Sequence, residues 1–164
     1  MRPIWKYAAV FVVGGLLGTA AGFAAGIFVY PYVFLAGITA NEELKGAEAK
    51  PVAASGQFIH ADPSDPVHYG RGGVTLYEDA VVLARDFEVG PGPKYHVYLV
   101  PRAGITRSAE VEKEMFVDLG RLRAFRGSQV YAIPPGVDLK RYGSVVIWCE
   151  AFGVLISPAT LTFN

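Results

Sequence analysis

Cysteine is almost absent: Cys149 stands alone among 164 residues. One cysteine excludes an intramolecular disulfide, a C-x-x-C redox pair and an all-cysteine zinc or iron–sulfur site within one chain. Histidine is scarce too, with three in the chain. His60, His68 and His96 show no H-x-H or H-E-x-x-H spacing, so the fold itself would have to assemble any metal site. There is no G-x-S-x-G, no phosphate loop and no dinucleotide fingerprint, which leaves hydrolase and nucleotide-enzyme readings without support. An excess of one charge is also lacking, at 15 basic against 15 acidic side chains. All acidic residues, and all basic ones except Arg2 and Lys6, lie beyond residue 40. That part is slightly acidic and carries no strong positive field, so nucleic acid is not an expected partner.

Charge is wholly missing from Tyr7 to Ile38. The core of that run, Tyr7 to Tyr30, ends at Pro31. As a helix it spans about 36 Å, enough for a hydrocarbon core of about 30 Å. A secretory signal is the rival reading, with small residues at Thr19-Ala20-Ala21-Gly22 resembling a cleavage site. Its apolar region is normally only about 7–15 residues, so an uncleaved anchor is expected. Arg2 and Lys6 precede the span, and Glu42 and Glu43 are the first charges after it. The positive-inside rule then puts the N-terminus in the cytoplasm and the C-terminal part in the periplasm or outside the cell. Gly14, Gly18, Gly22 and Gly26 recur at four-residue spacing, a repeated G-x-x-x-G that lets a second helix backbone approach. Self-association through these glycines is the expectation, against a null in which glycine is simply common in membrane helices. Trp5, Tyr7, Tyr30 and Tyr32 flank the run as interfacial aromatics do.

The chain therefore divides into an anchor over 1–38, a linker over 39–55 and an outer domain over 56–164. The linker reads as a polar tether, with a short helix near 41–49. Beyond it, strand and turn signals alternate at short intervals. Gln57–His60, Val74–Glu78, Ala80–Val89, Tyr95–Val100, Phe116–Leu122, Gln129–Ile133, Ser144–Phe152 and the closing residues give about eight strands. Turns fall at Asp62-Pro63, Glu78-Asp79, Gly90-Pro91-Gly92-Pro93 and Pro134-Pro135-Gly136. Pro101–Met115 is the least patterned stretch, with room for one short helix and with Glu110, Glu112 and Glu114 exposed. Arg121, Arg123 and Arg126 read as a solvated face rather than an anion site. The fold class is all-β, an antiparallel sandwich or barrel preceded by one transmembrane helix.

The clearest strand is Tyr142–Phe152. If it is pleated, Val145, Ile147, Cys149 and Ala151 share one face, and Ser144, Val146, Trp148 and Glu150 share the other. Cys149 then sits on the more apolar face. One reading makes it a buried structural thiol, since free cysteine is among the most buried residue types. The other makes it a redox or ligand cysteine with a base supplied through the fold by His60, His68 or His96. Cysteine with two histidines is also the ligand set of blue copper centres, but no His or Met follows Cys149 here.

In order and spacing, a series of pieces resembles the DM-thirteen domain, described as an electron-transfer domain and found in Skeletor-like animal proteins and in bacteria. The pieces are Gly56-Gln57-Phe58, His68 with the glycine-rich step into Val74-Thr75-Leu76-Tyr77, Asp86-Phe87, and Gly92-Pro93 leading to His96-Val97-Tyr98-Leu99. Then come Asp118-Leu119-Gly120, Gly127–Tyr131 with Pro134, and Ser144–Cys149. The resemblance covers about Gly56 to Phe163. It implies a redox role for Cys149, with His68 and His96 as cofactor-binding candidates, and leaves the cofactor unknown. A DOMON domain adjoins this domain in many relatives; none is read here, so the resemblance implies a redox protein acting in trans. The alternative is a non-catalytic, membrane-tethered interaction or ligand-binding module with a structural cysteine.

Overall fold

The computed structural model describes residues 3–164, leaving aside the side chain of Phe28. Helix α1 runs Ile4–Tyr30 and continues as a π-helical turn over Pro31–Leu35. Pro31 has no N–H to donate to the preceding turn, and the ladder slips by one residue. Ala36 N accordingly donates to Pro31 O at 2.9 Å. Ile4–Leu35 is long and apolar enough to cross a membrane. Apart from its end it is exposed on all sides, as suits a helix whose apolar surface meets lipid rather than protein.

The outer part holds strands β1 (Thr39–Asn41), β2 (Val52–Phe58), β3 (Gly70–Tyr77), β4 (Ala80–Leu83), β5 (Glu88–Val89) and β6 (Tyr95–Val100). The single short helix α2 (Ser108–Glu112) follows, then β7 (Val117–Arg121), β8 (Arg126–Ala132), β9 (Ser144–Cys149), β10 (Val154–Thr160) and β11 (Thr162–Phe163). They form one sheet of 11 strands in the order β1-β8-β4-β3-β2-β10-β9-β6-β7, with β11 beside β2 and β5 against β3 and β8. Pairing is antiparallel throughout except between β1 and β8. Inward residues of β2, β3, β4, β6, β8, β9 and β10 share one core, so the sheet must curl around it. Among the described residues no ladder joins β7 to β8, so the curl is not a closed barrel.

Eleven strands replace the expected eight for physical reasons. The stretch 80–89 breaks into two because a turn at Ala84–Phe87, closed by Phe87 N to Ala84 O at 3.1 Å, interrupts it. The last residues form a separate strand on β2. The linker is not a loose tether. Its first residues form β1, in parallel register with Arg126–Ser128. Glu42 then accepts from Arg123 Nε at 2.6 Å and from Val130 N at 2.9 Å. Chiefly through Arg123, its carboxyl is held below the usual range. Ala47–Ala49 is a 3-10 turn, and β2 begins at Val52. The basic group is likewise not simply solvated: Arg123 clamps Glu42, and Arg126 shares Glu88 with Arg71. Glu110 is no free surface acid either, since it accepts from the amides of Thr106 and Arg107 at the start of α2.

β9 lies at the centre, and all six of its residues are buried. Val145, Ile147 and Cys149 face the main core. Val146 and Trp148 face a second, smaller core closed by Ile105 and Val111. Burying each Val or Ile of this strand stabilises the fold by about 1.5–3 kcal/mol. The neighbouring β6 divides the same way, Tyr95, Val97 and Leu99 inward and Tyr98 and Val100 to the second core.

Candidate functional site

Cys149 ends β9, paired with Tyr95 on one side and Val154 on the other. It is 1% exposed. Its Sγ donates to Pro93 O at 3.2 Å and accepts from the amides of Phe152 and Ala151 in the turn that follows. The chain reverses directly after the cysteine, so both amides fall back on the sulfur. Burial pushes the thiol above its ordinary value, and the two amides offset this only in part.

A cavity of about 450 Å³ opens on this sulfur. One wall is the loop Pro91-Gly92-Pro93, whose two prolines hold it extended. Tyr95, Phe152 and Val154 continue that wall. The β2–β3 connection also lines the cavity, through Asp65, Val67 and His68, as does Tyr32 of the π-helical turn. Asp65 organises this connection. Its Oδ1 accepts from Val67 N at 2.8 Å and His68 N at 3.1 Å, and its Oδ2 accepts from His68 Nδ1 at 2.6 Å. His68 and these amides hold its carboxyl near its lower limit, at about 2. The carboxylate can only accept, so Nδ1 carries the proton and Nε2 is the ring's remaining acceptor in neutral imidazole. Burial also pushes the Tyr95 hydroxyl up, further raised by the neighbouring Cys149.

The structure thus brings His68 and Cys149 to one cavity. It does not bring His96 there. His96 follows Tyr95 and so points to the opposite face of β6. Its Nδ1 lies 3.0 Å from Asp118 Oδ2, and its Nε2 lies 3.4 Å from Glu150 Oε2. Tyr98 donates to Glu150 at 2.9 Å, and Lys94 pairs with the same carboxylate. His96, Asp118 and Glu150 are the one cluster among the described residues with three potential metal ligands within 4.8 Å. The two carboxylates, however, face opposite nitrogens of one ring, and Lys94 already occupies Glu150. A single ion cannot use all three as they stand. Cys149 belongs to no such cluster among the described residues. His60 is engaged with Asp65 O at 2.7 Å through Nε2.

Sequence reasoning missed Tyr32, Tyr95 and Phe152 as lining residues. Tyr95 was accessible in principle, since pairing the two clearest strands in antiparallel register sets it beside Cys149. Tyr32 has no sequence signal for this role. The glycines divide: no atom lies within 4 Å of where a Cβ would stand on Gly14, Gly18, Gly22 or Gly26, yet Gly22 and Gly26 border a cleft with Gly92, Pro93 and Arg121.

A family profile described as electron transfer DM13 matches residues 63–161. The chain belongs to the DM13 family. The matched region starts later than the resemblance in the sequence implied, and it includes both loops that line the cavity and Cys149 but neither Tyr32 nor α1. No curated protein and no solved structure gives a significant match. The electron-transfer description therefore attaches to the DM13 domain, and the helix lies outside it.

The thiol in the DM13 cavity has a testable signature. Thiolate is the nucleophile, and burial disfavours it here. Alkylation of native Cys149 by iodoacetamide is expected to reach half-maximal rate above the ~8.5 of an ordinary cysteine. In denaturant the profile returns to the ordinary value. A native midpoint at or below neutral pH would reverse the assignment.

Proposed function

We propose that this chain is a single-pass, membrane-anchored protein whose outer DM13 domain serves electron transfer at the cavity walled by Cys149. One observation carries the reading: within the matched residues, a buried thiol and a His–Asp pair face the same apolar cavity. The charge bias across the span supports an N-terminus in the cytoplasm and a DM13 domain in the periplasm or outside the cell. The electron partner acts in trans, and the glycine repeat offers a seam for a second copy.

Electron transfer calls for a redox-active group. A volume near 450 Å³ falls within the about 300–1,000 Å³ of small-ligand sites, and its apolar lining suits an organic ring better than an ion. Such a group would supply the electron chemistry. The chain's part is to exclude water, to fix the ring between the Pro91–Pro93 loop and the β2–β3 connection, and to present His68 Nε2 to it. Cys149 acts as the inner wall. A mixed disulfide or sulfenic acid at this sulfur requires the thiolate, which burial disfavours.

The same burial favours a second reading, a ligand-binding module with a structural cysteine. Full-length protein, purified without reductant in lipid nanodiscs, separates the two. On the first reading, titration between dithionite and ferricyanide shows stoichiometric electron uptake that is lost or shifted in Cys149→Ser and His68→Ala. Folded protein that takes up no electrons would leave the ligand-binding module.

A further inference from the structure

The cavity mouth sits at the end of the spanning helix. Tyr32, two residues beyond α1, lines it. The Pro91–Pro93 loop that lines it also borders α1, in a cleft lined by Gly22, Gly26, Tyr30 and Pro31 together with Gly92 and Pro93. Gly22 to Tyr30 covers about 12 Å of helix. With α1 spanning the bilayer as proposed above, a loop beside that stretch lies at the depth where headgroups meet acyl chains. Two further lining residues are apolar and exposed, Val67 at 44% and Phe152 at 50%. Exposed apolar groups gathered at the mouth of an apolar cavity mark an interaction site, and here the adjacent phase is lipid. A guest reaches this cavity from the bilayer without crossing water.

Inside, His68 offers an acceptor beside the hydroxyls of Tyr32 and Tyr95. Asp65 holds the Nδ1 proton of His68, so in the neutral ring Nε2 receives a hydrogen bond rather than giving one. Cys149 has already given its S–H to Pro93 O. The matching guest carries a hydroxyl on a flat apolar ring. Building on the electron-transfer reading above, we propose that the cavity takes a bilayer-soluble quinol, with one ring hydroxyl donating to His68 Nε2 and the tail leaving past Tyr32 and Phe152 into the lipid.

The test uses the full chain in phosphatidylcholine nanodiscs under anaerobic conditions. N-ethylmaleimide labelling of Cys149 is followed by mass spectrometry while decylubiquinol is added. Saturable protection is expected, about sixfold at roughly five times Kd. Decylubiquinone, which lacks the hydroxyl, is expected to bind more weakly, and His68→Ala is expected to erase that preference. Phe152→Asp, a charge at the exposed rim, is expected to raise the half-protecting concentration about tenfold. Met115→Asp, at a position 84% exposed and away from the cavity, is expected to leave it unchanged. Absence of protection overturns the proposal. So does equal protection by hexadecane, or protection that survives both His68→Ala and Phe152→Asp. Electron uptake without protection by decylubiquinol sinks this inference and leaves the electron-transfer reading standing. Protection without electron uptake does the reverse.

Discussion

Gln129→Leu is expected to lower the melting temperature of the outer domain by about 9–15 °C. Gln129 is fully buried, and its amide is a four-way junction. Its Oε1 accepts from Arg123 N at 3.0 Å, Ala124 N at 3.3 Å and Tyr131 Oη at 2.8 Å. Its Nε2 donates to Ala124 O at 2.8 Å. Together these bonds hold the turn between β7 and β8, where no ladder does. Leucine has nearly the same volume, so the change creates little cavity, and its cost comes from stranded partners. An unsatisfied buried polar group costs about 1–3 kcal/mol, and some of these partners will find water after relaxation, leaving a net loss of about 3–5 kcal/mol. At about 3 °C per kcal/mol for a domain of this size, the shift is about 9–15 °C. Thermal unfolding of the full chain in detergent, followed by Trp148 fluorescence in a Trp5→Phe background, reads it. A shift below about 4 °C would mean that the turn is held by something other than this amide.

Gly72→Ala is expected to be as damaging, and a second glycine separates its two causes. Gly72 has φ of +104°, and a Cβ there would lie 2.5 Å from Phe87 Cα. Gly120 has φ of +115°, with no atom within 4 Å of its Cβ position. Gly120→Ala therefore carries backbone strain alone, about 1–2 kcal/mol. Gly72→Ala adds a collision with main chain that cannot rotate away. It should displace the Ala84–Phe87 turn and cost more than about 3 kcal/mol, within the range of severe single substitutions. Chemical denaturation of both variants tests the difference. Equal losses would show that β3 and the turn separate at little cost.

The central strands were legible because their side chains alternate by type. Val145, Ile147 and Cys149 against Val146 and Trp148 is a pattern that any pleated backbone obeys, and the two cores divide along it. The hairpin at Glu78-Asp79 was legible from local chemistry, whereas the short helix lay in the least patterned stretch. β1 was not: Thr39-Ala40-Asn41 has no strand signature, and its partner lies at Arg126–Ser128, far along the chain. The cavity was half legible. His68 and Cys149 stood out as chemical types, but only strand register sets His96 on the other face, and only the fold brings Tyr32 to the mouth. The helix was legible from length and the lack of charge, which is what lipid requires.

The Glu42–Arg123 clamp and β1 have a consequence for how any partner meets this domain. Between the π-helical turn ending at Leu35 and the strand starting at Thr39 there are only the residues 36–38, about 10 Å of chain. The domain cannot sweep through the surrounding compartment on a flexible stalk. On the membrane-anchored reading proposed above, it stands as a post at the bilayer, with its opening at a fixed height. A partner that is itself held at the membrane then meets this opening by two-dimensional diffusion. For such a partner, collision rates should follow lateral density in the membrane rather than bulk concentration.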